Sequence, residues 1–546
     1  MKRYAPYSIM VCLVATALFG KAQEQTQKSK VEVKASASLT SNFYSSSGID
    51  PRQPSNMQYG IVRASVKLWD MVELPFELYF TTGQTRFQQP FNQFGVSPKI
   101  SNWLTLHAGY FSTRFSDLTF GDLRLLGGGF ELTPGNFRLK AVYGQSRQAV
   151  VPDKVNFAPG AYSQYAYAVS LGYGNLSKTY FNINLFHAKD DAKSIKQDTT
   201  VIMPAENLVS SLDIGVRFGQ YVTLRGEGAI SAYSSNINSE SLSSVSLNVP
   251  GLLFTPNASS RVDGAGMVNM DVNPSNYWSF SLGARWIGPG FNTLGYSLLP
   301  NDLFEYTFAP RFRLFGNKLM VRSRLGLRYN NLRANRLATT SRFTGLVSAT
   351  YQVNTLLAID GTFSQNQIES GHKLDTLRIS NVLNSYSISP RLSFTAFGGN
   401  SNVMLTFSHQ NSSDKNAYTQ DLNEVKTNNV NVVHILTYPS SLSFSATLLF
   451  NQTQMDMFDS KIFHFSETIG RRFVNNRLNT SVSLGANRVK TNDSSTQFVF
   501  RVNASYSFNR YGTLSFFITN NSYRGYGVVS SNYREIYGNL QYNVNF

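Results

Sequence analysis

Apolar and polar residues alternate with a period of two along almost the whole chain, and this pattern constrains the fold more than any other feature. Helical periodicity is almost absent. Each alternating run is about ten to twelve residues long, which suits a tilted strand that crosses a bilayer, whereas strands of soluble sheets average about five or six residues. The sequence therefore predicts long antiparallel strands. The clearest runs lie at residues 72–80, 208–218, 319–329, 442–450 and 498–508.

The connections between the runs alternate between short and long. Short turns on one rim and longer loops on the other are typical of an outer-membrane β-barrel, with the short turns in the periplasm. If short and long connections alternate along the whole chain, the sequence predicts a single all-β, transmembrane antiparallel barrel of about 26 strands, within a range of about 22 to 26. An even number places both termini in the periplasm. The expected short turns lie at residues 69–71, 133–136, 174–175, 219–220, 316–317, 438–441 and 509–512, and the weakest strand assignments are 91–100, 259–272 and 380–397.

The N-terminus has the features of an export signal. Lys2 and Arg3 precede an apolar run at residues 8–19, and Gly20 and Ala22 supply small residues at the cleavage site. We expect a signal peptide at residues 1–22, a short periplasmic segment at 23–30 and the barrel at 31–546. The segment before Val31 is too short for an N-terminal plug domain. The only cysteine, Cys12, lies in the signal peptide, so the mature chain is expected to have no disulfide and no cysteine metal site.

The composition favours a membrane barrel over a soluble protein. Only 15% of the residues are charged whereas 13% are aromatic, which suits strands with one face toward lipid and the other toward water. The net charge of +17 could serve anionic lipid or a cationic pore, and export makes nucleic acid an improbable partner. The expected surroundings are outer-membrane lipid and lipopolysaccharide.

Catalysis is not expected. The six histidines are scattered, and neither an HExxH nor a GxSxG motif is present. A constellation assembled from separate strands remains open, because one sequence does not exclude it. The loop that contains Asp190, Asp191 and Asp198 lacks the spacing of a calcium loop, so neither a metal nor a cofactor is expected.

The C-terminus continues the alternation to the last residue. A closed sheet requires the last strand to pair with the first, since lipid offers no hydrogen-bond partners. Asn539, Gln541 and Asn543 are predicted to face the lumen. The lipid-facing set resembles the signal by which the barrel-assembly machinery recognises bacterial outer-membrane proteins, and it consists of Leu540, Tyr542, Val544 and Phe546.

Charged residues of the opposite parity should face the lumen. A three-residue turn at 69–71 would place Arg63 opposite Glu77 and Lys67 opposite Glu73, as ion pairs that stabilise the wall. In the same way Glu131 is predicted to pair with Arg138.

A basic patch is predicted in the middle of the chain. A two-residue turn at 316–317 would place Arg311 opposite Arg322 and Glu305 opposite Arg328, and like charges in opposite positions destabilise a sheet unless something compensates. An anionic solute, water or acidic groups of an inward loop could offset the repulsion between these arginines. Alternatively, these residues simply face solvent near the periplasmic mouth. The patch comprises Arg285, Arg311, Arg313, Arg322, Arg324 and Arg328.

Two functions follow from such a barrel. Since about 26 strands enclose more space than wall side chains fill, the lumen must hold water, loops or a partner. The first hypothesis is a porin-like channel for polar or anionic solutes. The alternative is a non-conducting scaffold of a secretion, surface-export or assembly complex, with its lumen closed by loops or by a periplasmic partner protein.

Five stretches resemble a group of largely uncharacterised outer-membrane barrels of Bacteroidota, and the "KAQ" at residues 21–23 is similar to signal-peptide ends in that phylum. The resemblance implies the location and the fold but no activity. The stretches are "FNQFGVSPKISNWLTLHAGY" (91–110), "LLGGGFELTPGNFRLKAVYG" (125–144), "FHAKDD" (186–191), "PAENLV" (204–209) and "GPGFNTLGYSLLPND" (288–302).

Overall fold

A computed structural model gives the fold of most of the chain. The predicted signal peptide, the segment at 23–30 and Phe546 lie outside the described residues. The structure describes residues 31–68, 72–82, 93–121, 123–152, 160–195, 202–241, 253–372, 374–416, 418–419, 424–456, 458–508, 511–526 and 532–545.

Long strands make up nearly all of the described chain, as the alternation predicts, and a single 3₁₀ turn lies at Asp375–Leu377. The strands are β1 (Val31–Ser47), β2 (Asn56–Leu68), β3 (Val72–Thr81), β4 (Gln93–Val96), β5 (Lys99–Ile100), β6 (Leu104–Ser112), β7 (Arg124–Leu132), β8 (Phe137–Arg147), β9 (Gln164–Gly174), β10 (Tyr180–Asp190), β11 (Glu206–Phe218), β12 (Val222–Ser234), β13 (Ser260–Val272), β14 (Trp278–Ile287), β15 (Leu303–Leu314), β16 (Leu319–Asn330), β17 (Ala338–Gln352), β18 (Leu357–His372), β19 (Ile379–Ala396), β20 (Gly399–Asp414), β21 (Val425–Thr437), β22 (Leu442–Met455), β23 (Phe458–Phe473), β24 (Leu478–Lys490), β25 (Ser494–Ser507), β26 (Thr513–Tyr526) and β27 (Asn532–Asn545).

The strands form one antiparallel sheet in which each pairs with its neighbours in sequence. The short strands β4 and β5 together occupy one position between β3 and β6, so the sheet has 26 positions. Strand β27 pairs with β1, with Val544 opposite Ala37 and Tyr542 opposite Leu39. The pairings of the described strands therefore form a closed ring, as a barrel requires. The prediction of a single antiparallel barrel with about 26 strands is confirmed.

The two rims of the barrel differ. One rim carries the start of β1, the end of β27 and connections of two to five residues, and we call it the short-turn rim. The turn at 315–318 belongs to it: Gly316 and Asn317 have φ of 65° and 70°, and Lys318 N donates to Phe315 O at 3.3 Å. Positive φ at both central residues gives the twist that matches antiparallel strands. The opposite rim, the long-loop rim, carries the connections at 113–123, 148–163, 191–205, 235–259 and 288–302.

The outer surface of the barrel is apolar. Trp278, Leu282 and Trp286 of β14 alternate outward and are 42%, 39% and 39% exposed, and their cross-strand neighbours Phe312 and Phe308 of β15 are exposed to a similar degree. An apolar surface of this extent does not remain monomeric in water, whereas it suits a lipid bilayer. No helix in the described part of the chain has the length and apolarity needed to span a membrane.

Candidate functional site

Two connections of the long-loop rim fold back into the lumen and contact each other there. They are the β6–β7 loop (113–123) and the β14–β15 loop (288–302), which we call the inner loops. Phe120 and Gly295 form a parallel β-bridge, and Gly121 N donates to Gly295 O at 3.2 Å. The hydroxyl of Thr293 donates to Thr119 O at 2.6 Å. The inner loops therefore form one interlocked unit.

Apolar side chains attach this unit to the inner wall of the N-terminal half. Phe120 is fully buried and stacks on Phe186 of β10 at a ring-centroid distance of 5.4 Å. Phe291 of the other inner loop is 1% exposed. Each such side chain contributes about 1.5–3 kcal/mol when it is removed from water. The cluster also contains Leu118, Leu125, Val142, Ala166, Ala168, Ala188, Val209, Ala229, Ala265, Ile287 and Leu303.

Asn207 of β11 provides polar attachment for the β14–β15 loop. Its side chain is fully buried, and its Nδ2 donates to Asn292 O and to Ser231 Oγ, both at 3.0 Å. Its Oδ1 accepts from Leu294 N at 2.9 Å. Because a buried polar group without a partner costs free energy, this complete set of bonds fixes where the loop lies.

Two carboxylates of the wall accept hydrogen bonds from the β6–β7 loop. Glu227 of β12 accepts from Asp117 N at 3.0 Å and from Leu118 N at 3.3 Å. Glu131 of β7 accepts from the Thr113 hydroxyl at 2.5 Å. Charge-assisted bonds of this kind are stronger than neutral ones, so the β6–β7 loop is held at both of these points.

Asp263 of β13 holds the β14–β15 loop by accepting a hydrogen bond from its backbone. It accepts from Gly290 N at 2.7 Å and also forms an ion pair with Arg333 at 2.7 Å. Arg333 lies in the 331–337 connection of the long-loop rim. The second inner loop is therefore linked to the rim as well as to the wall.

The prediction that Glu131 pairs with Arg138 is wrong. The last cross-strand pair of this hairpin is Leu132 with Leu139, so Glu131 lies opposite Lys140, and Lys140 Nζ is 2.9 Å from Glu131 Oε2. Arg138 instead donates to Asn182 Oδ1 at 2.9 Å. Leu132 pairs with Leu139, where the predicted register requires Phe137, so the pairing is offset by two residues and the parity is unchanged.

The predicted ion pairs of the β2–β3 hairpin have the expected backbone register. Arg63 lies opposite Glu77 and Lys67 lies opposite Glu73. The side chains of Lys67, Glu73 and Glu77 lie outside the described residues, so contact between these charges stays a prediction.

The structure divides the predicted basic patch into two groups. Arg311 lies opposite Arg322, as the sequence predicts, and Arg313 follows on the same inward face of β15. A cavity of about 610 Å³ at the short-turn rim is lined by these three arginines together with Arg217 of β11. Sequence reasoning missed Arg217, because its strand is distant in sequence from β15.

The second group lies closer to the long-loop rim. Glu305 lies between Arg285 on one side and Arg328 on the other, and Arg328 is followed across the sheet by Arg342. One carboxylate therefore has two arginine neighbours. Arg324 lies opposite Leu346 and is separate from both groups.

The C-terminal strand has the predicted parity in its described residues. Asn539 Nδ2 donates to Asn42 Oδ1 at 2.6 Å, and Gln541 Nε2 donates to Ser38 Oγ at 3.1 Å, on the inner face of the β1–β27 seam. Leu540 is 43% exposed on the opposite face. A role of this strand in barrel assembly stays a prediction.

Sequence reasoning did not single out Phe120, Asn207, Glu227 or Phe291. The signal that could have indicated an inward position is the apolar content of "DLTFGD" (117–122) and "GFNTLGYSLL" (290–299), which is high for a connection exposed to water.

Comparisons with known proteins yield weak structural similarity only. No protein-family model and no curated protein matches the sequence. Among solved structures, OccAB4 of Acinetobacter baumannii has a TM-score of 0.30 at 12% identity, over 67% of this chain and 97% of that chain. The translocation pore of the P pilus usher PapC has a TM-score of 0.28 at 10% identity, over 94% and 99%. The siderophore receptor PirA of Pseudomonas aeruginosa has a TM-score of 0.39 at 10% identity, over 95% and 81%. Similarity at this level carries no functional argument, and the fold rests on the strand pairings above.

Proposed function

We propose that this chain is an outer-membrane barrel that acts as a porin-like channel for polar or anionic solutes, with both termini in the periplasm. The observation that carries the proposal is the one-sided filling of the lumen. The inner loops pack on the wall formed by β6–β15, whereas inward side chains of the opposite wall remain accessible, such as Leu346 at 43%. Barrels of about 16–18 strands already enclose an aqueous channel, and a barrel of 26 positions whose described inner loops pack on one wall supports the same interpretation.

The surroundings proposed for the barrel follow from its exterior. The apolar outer face would contact outer-membrane lipid and lipopolysaccharide, and the barrel-assembly machinery would insert it. The resemblance of five stretches of the sequence to outer-membrane barrels of Bacteroidota supports this location.

The proposed preference for anions rests on the arginines of the short-turn rim. Arg311 and Arg322 are opposite each other, with Arg217 and Arg313 in the same cavity. Among the described residues that line this cavity none is acidic. Rings of arginine and lysine favour anions in pores, because an anion in the path offsets the repulsion between the cations.

Charge reversal at this cavity tests the proposal. In planar bilayers with a KCl gradient, we expect the unaltered channel to pass chloride better than potassium. Arg311→Glu combined with Arg322→Glu should lower the chloride-to-potassium permeability ratio below one, as measured by the reversal potential. A matched control is Arg488→Glu with Arg524→Glu, which changes the net charge equally on the outward face of β24 and β26. An unchanged reversal potential in the lumen variant would remove these arginines from the path.

The scaffold hypothesis is favoured by one feature of the outer surface. Glu467 faces outward between Phe465 and Ile469 of β23, with Ala446 and Leu484 as its cross-strand neighbours. No cation of the described residues forms an ion pair with it. Because a carboxylate among apolar lipid-facing residues is costly, a membrane partner with a basic group would stabilise it. A purified barrel that does not conduct and that retains a stoichiometric partner, lost on Glu467→Leu, would favour the scaffold over the channel.

A further inference from the structure

Three polar side chains from neighbouring strand positions form a hydrogen-bonded chain on the inner wall, apart from both arginine groups. Ser97 Oγ lies 2.8 Å from His107 Nδ1, and His107 Nε2 lies 3.3 Å from Glu131 Oε1. A carboxylate on one ring nitrogen selects the tautomer whose other nitrogen accepts a proton. We propose that Ser97, His107 and Glu131 form a serine-nucleophile site that cleaves acyl esters inside the barrel.

The position of Ser97 is unusual for a wall residue. The strand position between β3 and β6 is interrupted at Ser97 and Pro98, between β4 and β5, and Pro98 O accepts from Leu106 N at 2.8 Å instead of continuing a regular ladder. Local interruptions of this kind redirect a side chain and are frequent next to active sites. The break therefore allows the Ser97 hydroxyl to reach the imidazole of His107 on the next strand.

The imidazole and the carboxylate are held in place by packing and by charge. The ring of His107 stacks on Phe111 with a centroid distance of 4.8 Å, and its side chain is 8% exposed. Glu131 is oriented by Thr113 and by Lys140, whose Nζ is 2.9 Å from its second oxygen. A nucleophile, a base and an oriented third group form the arrangement that activates serine in acyl transfer.

A cavity of about 640 Å³ gives the hydroxyl access to a substrate. Ser97 and Phe111 line it, together with Lys34, Arg63 and Arg124. None of the described lining residues is acidic. A partly apolar cavity of this size suits the acyl chain of an ester.

The chemistry balances with water as the only second reactant. His107 Nδ1 takes the proton of Ser97 as Oγ bonds to the acyl carbon, and the same proton passes to the departing alcohol when the ester C–O bond breaks. Water then attacks the acyl-serine with His107 as base. The products are the carboxylic acid and the regenerated hydroxyl. Glu131 acts as a positioning residue that stabilises the imidazolium.

The opposite wall supplies an internal comparison. His464 Nε2 lies 3.1 Å from Ser466 Oγ, and its Nδ1 contacts the Asn487 side chain. The histidine of this pair contacts the amide of Asn487, whereas His107 contacts the carboxylate of Glu131. An amide does not stabilise an imidazolium by charge, so Ser466 should react far more slowly than Ser97.

The experiment treats the folded full-length barrel with a fluorophosphonate and identifies the labelled peptide by mass spectrometry. We expect an adduct on Ser97 that forms at least about 100-fold faster than any on Ser466, none at this position in Ser97→Ala, and labelling about 100-fold slower in His107→Gln. In Glu131→Gln, labelling of Ser97 should also be slower, because the imidazolium loses its carboxylate partner, and Glu131→Asp should restore part of the rate. An unlabelled Ser97 in a folded barrel, or a rate indifferent to His107→Gln, would overturn the proposal.

A second measurement covers the case in which His107→Gln does not fold. Ser97→Cys should react with iodoacetamide at least about tenfold faster than Ser466→Cys, since Glu131 stabilises the imidazolium that pairs with a thiolate, whereas the amide of Asn487 does not. Equal rates would contradict the proposal. Ser97→Ala should leave the reversal potential unchanged, so failure of this site and failure of the channel are distinguishable.

Discussion

The two halves of the barrel use the same alternating pattern for different purposes. In the N-terminal half, inward side chains of β9–β12 such as Asn184, Phe186 and Val209 are fully buried beneath the inner loops. In the C-terminal half, inward side chains such as Leu346 and Arg391 remain accessible. The connections of the long-loop rim are also shorter in the C-terminal half, where 415–424 has ten residues and 491–493 has three, against fifteen at 288–302.

This difference shows that strand parity alone does not decide what an inner face contacts. Parity assigns a residue to the lumen, and the loops then decide whether the lumen at that place is water or protein. A covered wall requires apolar side chains and fully bonded polar groups, whereas an open wall needs only hydrophilic side chains. Core-like residues on the covered wall are therefore a structural requirement of the inner loops.

The largest expected effect comes from removing an aromatic ring of an inner loop. Phe120→Ala should destabilise the barrel by about 3–5 kcal/mol, because it leaves a cavity against Phe186, and it should raise conductance as the loop loosens. The matched change on the open wall, Leu346→Ala, should cost less than about 1 kcal/mol. Denaturant unfolding in lipid vesicles and single-channel recording measure the two quantities. Equal costs would contradict the division into covered and open walls.

A smaller effect is expected from the polar attachment. Asn207→Ala leaves Leu294 N–H without its acceptor and removes one of the two donors to Asn292 C=O, the other being the Ser231 hydroxyl, and it should cost about 2–3 kcal/mol. Asn431 also points toward the lumen, on the opposite wall, and its buried Oδ1 has no hydrogen-bond partner among the described residues, so its removal breaks no hydrogen bond of that atom. Asn431→Ala should therefore change the free energy of unfolding by less than about 0.5 kcal/mol. A cost for Asn431→Ala as large as that for Asn207→Ala would show that both walls are covered.

The sequence predicted the barrel well because its strands obey local rules. Period-two alternation and turn residues determine parity and register near a turn, which is why Arg311 lies opposite Arg322 as predicted. The prediction failed at Glu131, where the pairing is offset by two residues from the predicted register. A change of two residues preserves parity but replaces Arg138 by Lys140 as the partner.

The inner loops could not be placed from the sequence for a different reason. Their contacts join residues far apart along the chain, such as Tyr296 to Ser116 and Gly295 to Phe120, and no periodicity encodes such contacts. The same holds for Ser97 and His107, which depend on an interruption of one strand position. Local pattern thus defines the wall, and long-range packing defines the contents of the lumen.

The smallest expected effect comes from removing an ion pair. Salt should change the cost in free energy of unfolding on the open wall but not on the covered wall. On the open wall, Arg391 Nε is 2.6 Å from Asp360 Oδ2, and both side chains are accessible, at 48% and 33%. Arg391→Ala should cost less than about 1 kcal/mol, and this cost should vanish in about 1 M salt, where the Debye length is about 3 Å. On the covered wall, Asp190 is 3% exposed and accepts from Arg147 at 2.7 Å, Gln164 at 2.8 Å and Ala205 N at 2.9 Å. The cost of Arg147→Ala should persist in salt, since a buried acceptor is screened much less. If salt removed both costs equally, water would have to reach Asp190 as freely as Asp360, and the inner loops would not seal that wall.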